Sequence, residues 1–174
     1  MKIKGIKTKE LTLLAMLTAI LFVQETVLSF IPNVQLSVIF IMVYAATLGI
    51  PKATLVMSVH VLLDNMIWGS LTPITVCPMW LGWFLLILIG RLLRKTPLPV
   101  IVIGSVIGSL LYCWSFVLFN YLFLDINIVA YIAADILFEI ILCCSSVVTV
   151  MFCYRPAEKL IKGYYAKYVN EPTE

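Results

Sequence analysis

The sequence predicts an all-α integral membrane protein: one bundle of six helices with both ends on the same side of the membrane. Three observations carry that expectation. Hydrophobic residues make up 63% of the chain and charged residues only 12%, with a mean hydropathy of +1.09, whereas a soluble domain sits near half apolar and a quarter charged. Apolar stretches recur at close to the length of a bilayer crossing, about 20 residues. The basic residues fall into groups that six crossings bring to one face.

The expected spans cover residues 11–30, 34–50, 53–68, 74–93, 98–121 and 126–153, in a single domain that takes up the whole chain. The second and third fall a few residues short. Prolines punctuate their ends, where a missing N–H does little harm: Pro32 and Pro73 on one side, Pro51, Pro97 and Pro99 on the other, with Pro78 near the start of the fourth. The first span reads as a retained helix rather than a signal peptide. It is too long for an h-region, carries Gln24 and Glu25 near its far end and shows no small-residue cleavage pattern there.

Charge placement sets the orientation. Lys2, Lys4, Lys7 and Lys9 precede the first span; Lys52 lies between the second and third; Arg91, Arg94 and Lys95 end the fourth; Arg155, Lys159, Lys162 and Lys167 follow the sixth. With six spans all 12 basic residues share one face, and the positive-inside rule puts that face, and both termini, in the cytoplasm of a cell-membrane protein. Topology and anionic lipid account for the net charge of +3, so no nucleic-acid partner is implied. The five cysteines show no metal-ligand spacing and read as small apolar filler; no metal site is expected.

The polar residues gather toward the opposite, outer side. "HVLLDNMIWG" places His60, Asp64 and Trp68 four residues apart on one helical stripe, with Asn65 beside it. Asn33 and Gln35 open the second span, Asn120 closes the fifth, and Asp135 and Glu139 share a stripe of the sixth. With Glu25 and Asp125, five acids lie in or next to the outer half. Each ionised group at mid-membrane costs about 3 kcal/mol or more, so a wet binding cavity is expected there, lined by Asn33, Gln35, His60, Asp64, Asn65, Trp68, Asn120, Asp135 and Glu139. The competing reading is that Asp64 and Asn65 cross-link helices. Like charges at the spacing of Asp135 and Glu139 repel, which calls for a proton or a bridging partner such as His60. Trp80 and Trp83 read as an interfacial aromatic belt.

Small residues form a second theme. Ala15 and Ala19 lie four apart in the first span, and Gly104 and Gly108 repeat the spacing in the fifth; such pairs let helices approach closely. The glycines suit internal packing, and the alanines suit either packing or a flat strip for another protein.

Six spans, this length, the Ala-x-x-x-Ala pair, the outer pocket and the stretches "IPNVQLSVIFIMVYAATLG" and "HVLLDN" together resemble the substrate-binding S component of energy-coupling-factor (ECF) vitamin transporters. The resemblance implies capture of a vitamin or related micronutrient from outside. It further implies docking, through the surface at Ala15 and Ala19, on a coupling module of one scaffold membrane subunit and two ATPases. ATP and Mg would be bound by those partners; no G-x-x-x-x-G-K-[ST] sequence occurs here, and no cofactor or catalytic residue is expected in this chain. General likeness to the cobalamin-type subfamily points to cobalamin. The short outer connections suit instead a smaller ring compound, such as a pyridoxine- or hydroxymethylpyrimidine-like precursor. Two other classes stay open: a stand-alone proton-coupled carrier relaying through Asp64, Asp135 and Glu139, and an intramembrane aspartyl protease, for which no flanking motif speaks.

Overall fold

The computed structural model describes residues 8–31, 34–68 and 71–169. Among them every regular element is helical: α1 (Thr8–Leu28), α2 (Ser37–Leu48), α3 (Ile50–Ile67), α4 (Pro73–Leu92), a 3-10 turn (Leu93–Lys95), α5 (Leu98–Leu124) and α6 (Ile128–Val169). Helices α1, α4, α5 and α6 are long and apolar enough to cross a membrane. The chain is therefore a helical membrane protein by length and composition. Helix α3 has 18 residues but dilutes its apolar run with Lys52, His60, Asp64 and Asn65.

Two boundaries depart from the sequence expectation. Helix α2 has only 12 residues, about 18 Å at 1.5 Å per residue, well under the bilayer core of about 30 Å. It tolerates that length because it is the centre of the bundle, packed against α1, α3, α4, α5 and α6. Of its residues, only Phe40 and Thr47 fall outside the buried class. A helix apolar on all sides is one that protein surrounds. It ends at Gly49, whose φ of 87° suits a residue without a Cβ, and α3 starts at the next residue with Pro51 in its first turn.

The second departure is α6, which continues well past residue 153 to a length of 42 residues, about 63 Å. Pro156 lies inside the helix without ending it. Tyr154, Glu158 and Ile161 remain buried on one face of this extension.

Contacts place the basic residues together. Lys52 at the start of α3 pairs with Glu10 of α1 and Tyr165 of α6, and the Tyr165 hydroxyl donates to Glu10 Oε1 at 2.7 Å. Arg155 donates to Thr96 O at 3.0 Å, and Arg91 to Ala46 O at 3.4 Å. The starts of α1 and α3, the ends of α2 and α4, and the extension of α6 thus form one end of the bundle. There Glu158 accepts from Arg155 and Lys162, both at 2.8 Å. Burial pushes its carboxyl up, but the hydrogen bonds from Lys162 and Arg155 outweigh burial and hold it below its ordinary value. Lys2, Lys4 and Lys7 lie outside the described residues.

Glycines set the closest helix approaches. A Cβ on Gly90 would stand 2.8 Å from Met42 Cα, and one on Gly82 2.8 Å from Tyr112 Cα, so α4 touches α2 and α5 backbone to backbone. Gly104 and Gly108 receive the Leu93 and Leu86 side chains of the α4 segment. That pair is internal packing. Trp83 departs from the belt expectation: it is fully buried and stacked on Tyr112 with ring centroids 4.0 Å apart. Trp80 also points into the bundle, donating to Ser58 Oγ of α3 at 2.9 Å.

Candidate functional site

At the end of the bundle opposite the lysines, the shortness of α2 leaves space above its first turn. Gln24 of α1 fixes that turn. Its Oε1 accepts from Leu36 N at 2.7 Å, and its Nε2 donates to Ser37 Oγ at 2.7 Å and to Leu21 O at 2.8 Å. Gln24 thereby does for α2 what no residue of α2 does, satisfying donors at a helix start.

One residue on, Glu25 accepts from Ser37 Oγ at 3.2 Å, and His60 Nε2 of α3 approaches its Oε2 to 3.0 Å. The ring is turned out of line, so the contact closes no hydrogen bond and acts through charge and polarity. His60 is fully buried. The residue pairing with it is Glu25, not the Asp135/Glu139 pair that spacing suggested as a candidate.

A cavity of about 320 Å³ opens here, lined by Glu25, Gln35, Asp64, Trp68, Tyr112 and apolar residues of the α1–α2 connection. Trp68 caps α3 at its rim, 55% exposed, its backbone N donating to Asp64 O at 3.0 Å, with the half-buried Asp64 side chain one turn below. Gln35 is only 6% exposed, and its Oε1 is enclosed with no hydrogen-bond partner in the protein. Leaving a buried acceptor unpaired costs about 1–3 kcal/mol. Two carboxylates and an amide side chain thus line one small space, with His60 against Glu25 behind it. Such a lining suits a ligand that donates hydrogen bonds or carries a positive charge.

The remaining expected residues lie elsewhere. Asn65 turns into the α3–α4 interface, where its Nδ2 donates to Val61 O at 2.8 Å and reaches Met79 Sδ at 3.3 Å. That matches the competing, cross-linking reading. Asn120 bonds its own helix, donating to Phe116 O at 2.8 Å. Asn33 lies outside the described residues.

Asp135 and Glu139 form a second cluster with Cys113 of α5. The Sγ and carboxylate oxygens lie within 4.8 Å of one another. Tyr112, next to Cys113 in sequence, lines the cavity, while none of the three cluster residues does. Spacing along α6 gave the acid pair, but nothing linear joins it to a cysteine on another helix. Tyr112 was equally hidden, because an aromatic inside an apolar span carries no mark of facing a cavity.

Ala15 and Ala19 are both exposed on α1, flanked by Leu11, Met16, Ile20 and Val23, which are also exposed. They do not pack inside the bundle. No family model, curated protein or solved structure matches this chain.

Proposed function

We propose that this chain is the substrate-capturing membrane subunit of an ECF-type transporter, crossing the cell membrane six times with both termini in the cytoplasm. The observation that carries the reading is the cavity lined by Glu25, Gln35 and Asp64. It lies at the end of the bundle remote from Lys52, Arg91 and Arg155. On the positive-inside rule that end faces outward.

The ligand is a small ring compound with hydrogen-bond donors or a protonated nitrogen. At about 320 Å³ the cavity falls at the low end of small-molecule sites, about 300–1,000 Å³. That size favours a pyridoxine- or pyrimidine-like molecule over a corrin. Acidic lining without Lys or Arg among the described cavity residues disfavours an anionic ligand. Delivery inward runs through docking of the exposed Ala15–Ala19 strip on a coupling module whose ATPases supply the energy.

The test is co-expression and affinity purification from the native membrane, with mass spectrometry of proteins and of the extracted small molecules. Two ATPases and a scaffold subunit co-purifying, and a small nitrogenous ring compound in the extract, support the reading. Uptake by this chain alone in proteoliposomes under a proton gradient overturns it in favour of a self-sufficient carrier.

A further inference from the structure

We propose that Cys113, Asp135 and Glu139 form a binding site for one divalent transition-metal ion of the Zn2+ or Co2+ type, separate from the cavity at Asp64. Helix α6 presents the two carboxylates one turn apart, and α5 brings the buried Cys113 thiol against them, so that all three donor atoms lie within 4.8 Å of one another. Glu139 is only 7% exposed. Its Oε1 is enclosed and takes no hydrogen bond from the protein. An enclosed, unpaired oxygen on a carboxyl group that also reaches a thiol and a second carboxylate calls for a counterpart.

Charge points the same way. Three potentially anionic groups share one low-dielectric spot, and the lysines and arginines with described contacts are at the other end of the bundle. The one histidine is already engaged by Glu25. Neutralisation therefore falls to protons or to a cation.

The donor set selects among cations. A thiolate disfavours Mg2+ and Ca2+, and paired carboxylates disfavour Cu+, which leaves borderline ions that accept mixed S and O ligands. Tetrahedral bonds of about 2.0–2.3 Å hold ligand atoms about 3.5 Å apart, so closure around an ion needs side-chain movements of about 1 Å. Three protein ligands leave a fourth position open. Asp135 is half-buried, two turns from the start of α6, which gives the ion a route in.

The full chain, purified in detergent and stripped with chelator, is titrated with CoCl2 and, separately, ZnCl2. The expected result is one ion per chain after desalting and a thiolate-to-cobalt charge-transfer band in the near ultraviolet. Cys113→Ser should abolish the band, and Asp135→Asn should weaken Zn2+ binding at least tenfold. Asp135→Asn sits at a half-exposed position, so it tests the ligand set even if Glu139→Gln fails to fold. No stoichiometric ion in the wild-type chain overturns the proposal. So does a bound ion whose affinity and spectrum ignore both substitutions.

Discussion

His60 Nε2 lies 3.0 Å from Glu25 Oε2, which makes the floor of the cavity a joint between α3 and α1. Glu25 is also the residue that Ser37 of α2 reaches. Three helices thus meet on one carboxylate, directly beneath the space that Asp64 and Trp68 border. Glu25, one of the groups that join α1 to the central helix, also lines the cavity.

Removing a charged hydrogen-bond acceptor from the cavity should weaken ligand binding by about 1.5–3 kcal/mol, or about 10- to 100-fold. Glu25→Gln and Asp64→Asn are the substitutions, and equilibrium binding of the co-purified compound is the measurement. Asn65→Ala should leave that affinity unchanged and lower the thermal midpoint, because Asn65 bonds within the α3–α4 interface.

Bulk on the exposed face of α1 should separate capture from delivery. Ala15→Trp and Ala19→Trp add side chains where the bundle packs nothing. Ligand affinity of the isolated subunit should stay within about twofold, since no cavity contact changes. Uptake by the complete transporter should fall to background, and co-purification of the ATPases with it.

Two glycines should respond in opposite directions to alanine. Gly90→Ala puts a Cβ 2.8 Å from Met42 Cα, so helices must separate, at a cost of about 1–3 kcal/mol. Gly163→Ala meets nothing within 4 Å and gains about 0.5–1 kcal/mol from helix propensity. Thermal unfolding in one detergent compares them directly.

Glu158 makes the basic end acid-sensitive. Its carboxyl is held below its ordinary value of 4.5 by Lys162 and Arg155. The stability it contributes is therefore complete above that value and is lost as pH falls through the lower folded-state value. The thermal midpoint should drop below about pH 4.5, and Glu158→Gln should remove part of that drop while lowering the midpoint at neutral pH.

Composition and charge reached the helical membrane class and the gathering of cations at one end, because both depend only on residue type and order. Lys52, Arg91 and Arg155 illustrate it: their contacts in space join the ends that alternating spans would join. Which helices carry polar residues was legible as well, since such residues inside apolar runs mark themselves. Azimuth was not. Asp64 faces the cavity and Asn65 the neighbouring helix, a difference of about 100° around one helix that no adjacent residue announces. Cys113 meets Asp135 only because α5 and α6 pack at a particular register. The length of α2 was hidden for a related reason: a helix buried by protein on all sides is freed from the bilayer's length requirement, and its apolar flank continues into the connection.

Sidedness of the cavity is the claim on which capture from outside depends. In a cysteine-free version of the chain, Trp68→Cys at the cavity rim and Lys159→Cys at the basic end are probed in intact cells with a membrane-impermeant maleimide. Labelling of the Trp68→Cys variant in intact cells, and of Lys159→Cys only after permeabilisation, is the predicted result. The reverse pattern would place the acidic cavity on the cytoplasmic side and contradict the account.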